Sequence, residues 1–388
     1  MSDRALGVEQ VRRDNLARVL RIVHENGPQS RSELTRATGL NRSTIGTLAA
    51  DLAELQLVEV REPVLTRRVG RPSPMVAPTD RTVVLAVNPE VDATELAFVG
   101  LDLTMHHHIR VEHTRPPTPA ETVALISDTC DSLASDLPGR RLIGIGVAVP
   151  GLVRAADGFV RDAPHLGWVE VPLQQLVASA TGHPVVVGND ANLGAIAEHV
   201  FGAARGHDHV VYLNGGASGI GGGLIVHGMP VGGASGYAGE FGHNRAVDGE
   251  VLETTVSRTR LLETLGLASA SDAVLAAALA GTTAPEVLAE IDRQRQVLAA
   301  SLANVANVLD PSVIVLGGFL AMLAERAPED FTAVVAEHVM APNAEDLRIT
   351  SAVLAERRLL VGAAEAAFAE VLADPLGVSL TPGALPTA

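Results

Sequence analysis

The chain has 388 residues, of which 47% are apolar, and its formal net charge is −16. A chain of this length and apolar content is expected to fold into two or three domains with buried cores. The single cysteine, Cys130, excludes an intrachain disulfide and a cysteine-based zinc site. All 29 basic residues are Arg, which also excludes a Walker-type phosphate loop because that loop requires Lys.

Two further properties bear on partners and location. No apolar run is long enough to span a membrane, and residues 1–10 lack the hydrophobic segment of a signal peptide, so we expect a cytoplasmic protein without a membrane partner. Residues 1–75 hold 12 Arg and 9 acidic residues, a net of +3, which leaves −19 for the rest of the total of −16. Only the first segment is therefore expected to bind a polyanion.

The first segment has the pattern of a helix-turn-helix. Residues 15–25 place apolar side chains on one helical face, and Ser30 to Glu33 have the form of a capping box that opens a short second helix. Gly39 ends that helix, and Asn41 caps a third helix with a buried apolar face. Two helices joined by a tight glycine turn predict a DNA-binding module.

A wing is expected after the third helix. Residues 57–62 have a strand pattern, residues 67–72 could return as its partner, and Pro72, Pro74 and Pro78 predict a stiff linker. The Gly-Arg-Pro sequence is similar to arms that place Arg in the minor groove. The alternative is a small packed module with solvated arginines. The predicted DNA-binding residues are Arg31, Arg42, Ser43, Thr44, Thr47, Arg67, Arg68 and Arg71.

From residue 82 onward, strands alternate with helices. We expect strands at 83–87, 95–101, 109–111, 142–149, 185–187, 209–213, 222–226 and 313–316, and a long helix at 292–309 before the last of them. This alternation predicts an α/β domain whose site lies at the carboxyl ends of the strands. The expected domains are a winged helix-turn-helix at 1–75, a first lobe at 80–190 completed by a closing helix at 353–373, and a second lobe at 191–352.

The segment from Leu213 to Glu253 is rich in glycine and ends in Gly239-Glu240-Phe241-Gly242-His243. Glycine allows positive φ and close approach of the backbone to a ligand. This Gly-Glu-x-Gly-His core, together with Asn189-Asp190-Ala191-Asn192, resembles the ROK family (repressors, open reading frames and sugar kinases), and the resemblance covers nearly the whole chain. It implies a two-lobed actin-like (RNase H-like) sugar-kinase domain after the DNA-binding module.

The resemblance also implies a sugar site. Asp190 occupies the position of the family's catalytic base, and Asn189 beside it suits adjacent sugar hydroxyls. The predicted sugar-binding residues are Gly151, Asn189, Asp190, Glu240, His243 and Glu253. Asp190 could instead cap the helix that follows it, and the later residues could merely order their loop. Trp168 fits core filling as well as a sugar platform, and the tract 106–108 of three His reads as surface.

Two family features are missing from this chain. Family kinases cradle ATP with an Asp-x-Gly-Gly-Thr turn, whereas residues 88–94 read Asn-Pro-Glu-Val-Asp-Ala-Thr and place Glu90 and Asp92 where a triphosphate would lie. The second phosphate turn, residues 216–223, keeps its glycines but is not a dinucleotide fingerprint. Family members typically bind zinc through the core His and three Cys, but residues 244–253 contain no Cys, so we expect no metal.

These patterns predict a DNA-binding transcriptional regulator, with repression relieved by a sugar or sugar phosphate. We expect no enzymatic activity, no cofactor, double-stranded operator DNA as the partner, and a homodimer or homotetramer. One alternative is an ATP-dependent sugar kinase with an appended DNA-binding domain. Another is a regulator that has lost its small ligand and responds to a protein partner.

Overall fold

The computed structural model describes residues 3–62, 73–216, 218–246 and 249–377. It begins with three helices and a small three-stranded sheet, which we call the head. In chain order the head contains α1 (Asp3–Asn26), β1 (Gln29–Ser30), α2 (Arg31–Thr38), α3 (Arg42–Glu54), β2 (Val58–Arg61) and β3 (Met75–Pro78).

Local capping sets the helix boundaries of the head. The Ser30 side chain accepts a hydrogen bond from the backbone N–H of Glu33, whose carboxylate accepts one from the Ser30 N–H, so the expected capping box is confirmed. α2 ends at Gly39, which has a left-handed φ of 74°. Asn41 caps α3 by accepting from a backbone N–H of its first turn. The predicted helix-turn-helix is confirmed, although α1 begins well before residue 15.

The strand that pairs with β2 is not the one expected. β2 is antiparallel to β3, with Val58 opposite Pro78 and Arg61 opposite Met75. The expected return strand at 67–72 lies outside the described residues, as do Arg67, Arg68 and Arg71. Because Pro78 lies in β3, it does not belong to a linker, and the small sheet extends past the expected domain boundary at residue 75.

The first lobe is built on a five-stranded sheet. In chain order it contains β4 (Thr82–Pro89), β5 (Ala93–Gly100), β6 (Met105–Glu112), α4 (Pro119–Asp136), β7 (Arg141–Val149), β8 (Leu152–Arg154), β9 (Phe159–Ala163), β10 (Trp168–Val171), α5 (Leu173–Thr181) and β11 (Val185–Asn189). β4, β5 and β6 form an antiparallel meander, whereas β7 is parallel to β4 and β11 is parallel to β7. The order is β11-β7-β4-β5-β6, and β8 to β10 form a separate sheet that the sequence pattern did not predict.

The second lobe repeats this topology. In chain order, after the connecting helix α6 (Asp190–Phe201), it contains β12 (Val210–Gly216), β13 (Gly219–Val226), β14 (Met229–Pro230), α7 (Leu252–Thr255), α8 (Arg258–Thr264), α9 (Asp272–Gly281), α10 (Pro285–Leu309), β15 (Val313–Gly318), α11 (Phe319–Glu325), α12 (Pro328–Ala336), α13 (Ala341–Glu345) and β16 (Arg348–Ser351). Its sheet order is β14-β13-β12-β15-β16, with β15 parallel to β12. In both sheets the first strand pairs with the second and the fourth, and this repeated order confirms the predicted two-lobed actin-like fold.

The chain then returns to the first lobe in α14 (Arg358–Ala373), which packs on β4, β7 and α6. Glycines make this close packing possible. A Cβ added at Gly146 would lie 1.9 Å from the carbonyl oxygen of Ala363, and one added at Gly362 would lie 2.2 Å from that of Leu193. α6 also contacts β12 and β13, so this helix lies between the two lobes.

The head and the first lobe share one hydrophobic core. Leu16 and Leu20 of α1 belong to the same buried cluster as Val84 and Ala86 of β4 and Phe368 of α14. The second lobe has its own core, centred on α10 and β15. Because the buried apolar surface is continuous from α1 to β4, the head is packed onto the first lobe and is not tethered by a free linker.

Within the described part of the chain, no single helix has the length and apolar content needed to cross a membrane. Only the bent pair formed by Asp272–Gly281 and Pro285–Leu309 would satisfy that requirement jointly.

Candidate functional site

Three parallel strands of the first lobe end at the same edge of the sheet. Val87 of β4 and Val187 of β11 are both in register with Val147 of the intervening β7. The residues that follow these strands therefore meet at one edge, which faces the second lobe across α6. Glu90 follows β4, Gly151 follows β7, and Asp190 follows β11.

Asn189 connects the ends of β7 and β11. Its Oδ1 accepts from the backbone N–H of Asn192 at 2.9 Å, and its Nδ2 donates to the carbonyl oxygen of Gly151 at 3.0 Å and to Asp190 Oδ1 at 3.1 Å. The helix cap is therefore Asn189, and the interpretation of Asp190 as the cap is wrong. Gly151 packs tightly, since a Cβ there would lie 2.4 Å from the carbonyl oxygen of Asp162.

Asp190 lies in an environment that favours protonation. Its Oδ1 accepts from the backbone N–H of Ala191 at 2.8 Å. Burial raises the pKa of Asp190 to about 6 and outweighs the opposing effects of that hydrogen bond and of the Arg358 charge, while the Glu240 charge raises it further. Glu240, a carboxylate of the second lobe, therefore lies close enough to Asp190 for their charges to interact.

The second lobe contributes three predicted residues that lie together. Glu240 precedes a single 3₁₀ turn, residues 241–243, that Phe241 anchors against Gly222. His243 Nε2 lies 3.8 Å from Glu253 Oε1, and the other oxygen of Glu253 is 3.4 Å from the backbone N of Ile220. Burial raises the pKa of Glu240, although the nearby His243 opposes this shift. The predicted sugar-binding residues thus form two groups, one on each lobe.

Next to Glu253 is a cavity of about 230 Å³. It lies between the β12–β13 turn, the start of α8 and the loop before β10, and its lining includes His165, Gly216, Ser218, Glu253, Ser257 and Phe319. A Cβ at Gly219 would lie 2.5 Å from Glu253 Oε2, so glycine is required where the carboxylate packs on the hairpin. The cavity therefore joins the glycine-rich turn to the predicted sugar-binding carboxylate.

The glycine-rich second turn is a tight β-hairpin that packs on a helix. Gly216 of β12 is opposite Gly219 of β13. Cβ atoms added at Gly221 and Gly223 would lie 2.7 and 2.5 Å from the Cβ atoms of Ala191 and Ala195. These two glycines therefore let α6 approach the sheet of the second lobe.

The first turn, between β4 and β5, contains two carboxylates with different surroundings. Glu90 N–H donates to the carbonyl oxygen of Ala93 at 2.8 Å, which closes the turn. Burial raises the pKa of Glu90 to about 7, and the charge of Asp190 raises it further. Asp92 instead lies on the surface, where its side chain pairs with Arg110 at 2.9 Å. The expectation that both carboxylates lie where a triphosphate would bind stays a prediction, and of the two only Glu90 is strongly desolvated.

Several buried polar atoms at the cleft have no hydrogen-bond partner within the described part of the chain. They are Asn88 Oδ1, Tyr212 OH, Asn214 Oδ1 and Arg358 Nε. A Cβ at Gly317 would lie 2.6 Å from Asn214 Oδ1 and 3.1 Å from Tyr212 OH, so both oxygens face the end of β15. The sequence analysis missed these residues; the position of Asn88 and Asn214 near strand ends is the signal that could have identified them.

The loop after His243 is ordered by its own backbone. Arg245 and Val251 form an antiparallel bridge, Ala246 N–H donates to the carbonyl oxygen of Glu250 at 2.7 Å, and Leu252 is fully buried in the core of the second lobe. Among the described residues, which exclude 247 and 248, no group of three or more His, Cys, Asp or Glu side chains could hold a metal ion.

Two other candidates have structural surroundings. Trp168 is 2% exposed, and its Nε1 donates to the carbonyl oxygen of Pro117 at 2.8 Å, so it fills the core. His106, His107 and His108 lie on β6, and each approaches a different carboxylate. His107 and His108 are exposed, in agreement with the surface interpretation, whereas His106 is half-buried.

The predicted DNA-binding residues of α3 form one exposed group at its first turns. Arg42, Ser43 and Thr47 are exposed, and Thr44 is half-buried. Arg31 differs, because its side chain is half-buried and a Cβ at Gly46 would lie 3.6 Å from its Nη1. Arg31 therefore packs between α2 and α3 and does not project freely. The sequence analysis did not select Arg36, an exposed residue in the last turn of α2.

Comparison with known proteins identifies the family. The model of the ROK family matches residues 84–370. The xylose repressor of Caldicellulosiruptor bescii is 25% identical over 400 residues, which cover 92% of this chain and 96% of that protein. The xylose repressor of Bacillus spizizenii is 30% identical over 239 residues, 60% of each chain, and the glucokinase of Halalkalibacterium halodurans is 30% identical over 50% of this chain and 68% of its own length.

Solved structures agree on the fold. The crystal structure of a ROK family transcriptional regulator, described as a homolog of the E. coli MLC protein, has a TM-score of 0.75 and 22% identity and covers 94% of this chain and 98% of its own. A ROK family glucokinase from Streptomyces griseus in complex with glucose and AMPPNP has a TM-score of 0.60 and 24% identity and covers 74% and 99%. The family model matches most of the chain, and the chain therefore belongs to the ROK family.

Proposed function

We propose that this protein is a sugar-responsive transcriptional repressor. The observation that carries the proposal is the combination, in one chain, of a helix-turn-helix with an exposed polar face on α3 and a cleft that brings together amide, carboxylate and imidazole side chains from both lobes. Xylose repressors that align with most of this chain or with its larger part support the same function. The proposed sugar-binding residues are Asn189, Asp190, Glu240, His243 and Glu253, with Gly151 orienting Asn189.

The proposed DNA contacts are made by the start of α3 in the major groove of duplex DNA. Replacing Arg42 by Ala should weaken binding by about tenfold, because a lost Arg contact costs about 1–3 kcal/mol. Fluorescence anisotropy with a duplex selected by this protein from a random pool measures the effect. Arg161→Ala is the matched control, since Arg161 is an exposed Arg of the first lobe paired with Glu170. Equal losses in both variants would contradict the assignment.

The effector is proposed to bind between the lobes and to lower the affinity for operator DNA. A thermal-shift screen with mono- and disaccharides should find a sugar that raises the melting temperature by mass action. That sugar should then release the selected duplex, and Asp190→Asn should weaken the sugar response without changing DNA affinity. If no sugar binds, that result would favour a regulator that responds to a protein partner.

The position of Asp190 favours a second candidate, an ATP-dependent sugar kinase with an appended DNA-binding domain. Glucokinase relatives support this candidate. The β4–β5 turn opposes it, because the half-buried carboxylate of Glu90 disfavours a triphosphate there. We propose that the kinase-like domain is degenerate and expect no sugar-dependent ADP formation in a coupled assay. ADP formation that is abolished by Asp190→Asn would establish the kinase.

We infer that the protein acts in the cytoplasm as a homodimer or homotetramer. One head contacts one half-site, and the two half-sites of a palindromic operator require two heads related by symmetry. Light scattering coupled to size-exclusion chromatography should give a mass of two or four chains. A monomer that binds the selected duplex with full affinity would contradict this assembly.

A further inference from the structure

Glu90 and Asp190 lie at the same edge of the first-lobe sheet. β4 and β11 flank β7 with Val87 and Val187 in register with the same residue, so the residues that follow Pro89 and Asn189 come to the same edge of the sheet. With one strand between them, β4 and β11 are roughly 10 Å apart. A sugar ring with hydrogen-bonded hydroxyls spans such a distance.

The turn that carries Glu90 is held from outside. Its backbone N–H is already used by the carbonyl oxygen of Ala93, and Asp92 is bound on the outer side by Arg110, with the backbone N–H of His113 donating to the Asp92 carbonyl oxygen at 2.6 Å. The amide of residue 90 is therefore not available to a phosphate. Because the outer side of the turn is tied to β6, the Glu90 carboxyl stays near the cleft.

Two buried acceptor atoms at this part of the cleft have no hydrogen-bond partner among the described residues. Asn88 is only 6% exposed, and its Oδ1 has no hydrogen-bond partner among the described residues. A side-chain hydrogen bond from Asn88 lowers the pKa of Glu90, so the two side chains lie together. Across the cleft, Asn214 is 9% exposed and its Oδ1 is likewise unpartnered. These oxygens, with the carboxyls of Glu90 and Asp190, favour a ligand that donates hydrogen bonds, while Arg358 Nε, the unpartnered donor among these atoms, can donate to one of its oxygens.

We infer that Glu90 is a specificity-determining residue, which restricts the effector to an unphosphorylated sugar by accepting a hydrogen bond from the ligand and repelling phosphate esters. This inference rests on the proposed function, in which the cleft binds a sugar. Its physical basis is the cost of placing a phosphate dianion beside the half-buried Glu90 carboxylate, since like charges in a binding site are strongly disfavoured. Burial also removes the solvent that would screen them.

The test compares matched pairs of ligands by calorimetry at pH 8. The pairs are glucose, mannose and N-acetylglucosamine, each with its 6-phosphate. Any pair that binds wild-type protein should prefer the unphosphorylated member by at least about tenfold, a difference of 1.4 kcal/mol. Glu90→Gln should reduce that preference by a similar factor, and Glu90→Ala should do the same. A 6-phosphate that binds wild-type protein as tightly as its parent sugar would overturn the inference.

Asp92→Asn is the matched control, because it removes one negative charge from the same turn but on its outer side. It should leave the preference unchanged, and equal changes in both variants would mean that only the net charge of the turn matters, which would refute the assignment of Glu90.

Inorganic pyrophosphate separates failure of this inference from failure of the proposed function. If none of the sugars binds, the sugar-effector proposal fails, but Glu90→Gln should still bind pyrophosphate at least about tenfold more tightly than wild-type protein, a difference of 1.4 kcal/mol. Asp92→Asn should not. Equal affinity of Glu90→Gln and wild-type protein, including no binding by either, would overturn the assignment of Glu90.

Discussion

A buried pair of side chains fixes the head to the rest of the protein, and replacing Glu365 by Gln tests its contribution. His24, in the last turn of α1, is 3% exposed, with Nδ1 2.7 Å from the carbonyl oxygen of Leu101 and Nε2 2.8 Å from Glu365 Oε2. Both partners are acceptors when Glu365 is ionised, so both ring nitrogens must donate and the imidazole must be protonated. The pair is then a buried imidazolium–carboxylate bridge between the head and α14.

The expected loss follows from the burial of this pair. Removing one partner of a buried ion pair costs about 3–5 kcal/mol, because the remaining charge is left uncompensated. We expect the Glu365→Gln substitution to cost about 3 kcal/mol of stability, since the amide still offers His24 one hydrogen bond. The loss of stability should affect the docking of α1 and not the second lobe, whose core is separate.

The pair also predicts a dependence on pH. Burial lowers the pKa of His24, but the hydrogen bond and charge of Glu365, the carbonyl oxygen of Leu101 and the charge of Glu25 together raise it above its ordinary value of 6.5. A raised folded pKa means that this stabilisation is complete below pH 6.5 and is lost as the pH rises through the raised value. The docking of α1 should therefore weaken from pH 6 to pH 9 in wild-type protein, and much less in Glu365→Gln.

Amide hydrogen exchange in peptides from residues 16–26, corrected for the intrinsic effect of pH, measures this docking locally. Glu370→Gln is the control, because Glu370 is an exposed residue on the same helix. A loss of protection below about 1 kcal/mol in Glu365→Gln, the range of an exposed ion pair, would refute the reasoning. So would the same pH dependence in Glu365→Gln and wild-type protein.

Three further outcomes are expected. Gly146→Ala should destabilise the first lobe by at least about 1–3 kcal/mol in denaturant unfolding, because the added Cβ would meet the carbonyl oxygen of Ala363; an unchanged midpoint would contradict this contact. Asn189→Ala should cost about 1 kcal/mol through the lost cap of α6 and should also weaken sugar binding, whereas Asn189→Asp should keep the cap but place a carboxylate oxygen against the Gly151 carbonyl and Asp190, so that sugar binding stays weakened. Purified protein should contain no stoichiometric zinc, and elemental analysis that finds one zinc per chain would show that His243 has ligands other than those expected.

The parts of the fold that sequence predicted are those set by local chemistry. Ser30 and Asn41 cap their helices through backbone groups only three residues away, so their role can be read without tertiary information. The long buried strands of both lobes are equally evident from their apolar runs. Short strands were missed: β8, β9, β10 and β16 are at most five residues long, and their pairing depends on distant segments.

The candidate site was predictable only in part, for the same reason. The position of Asp190 after a strand indicated the correct edge of the sheet, but the hydrogen bonds of Asn189 to Gly151 depend on the pairing of β7 with β11. Sequence also could not show that Glu90 lies near the cleft while Asp92 lies on the surface. That difference arises because Arg110 on the neighbouring strand binds the outer side of the turn.

The connections between the lobes are held by one buried carboxylate. Glu198, at the end of α6, is fully buried and accepts backbone N–H bonds from Ala203 at 2.8 Å, Val353 at 3.2 Å and Leu354 at 2.9 Å. Residues 203 and 353–354 belong to the two chain segments that pass between the lobes. A carboxylate with several backbone donors resists displacement, so we expect these segments to stay fixed if the lobes turn.

This arrangement limits how a ligand bound in the cleft can affect DNA binding by the head. The head and the first lobe share a core, so we expect closure of the cleft to turn the second lobe against both of them. The segment after α6 touches the head directly, since Arg205 donates to the carbonyl oxygen of Glu25 at 3.0 Å and to Asn26 Oδ1 at 2.7 Å. Because the head cannot swing on a linker, we expect a ligand to alter the spacing of two heads through rotation of whole lobes within an oligomer.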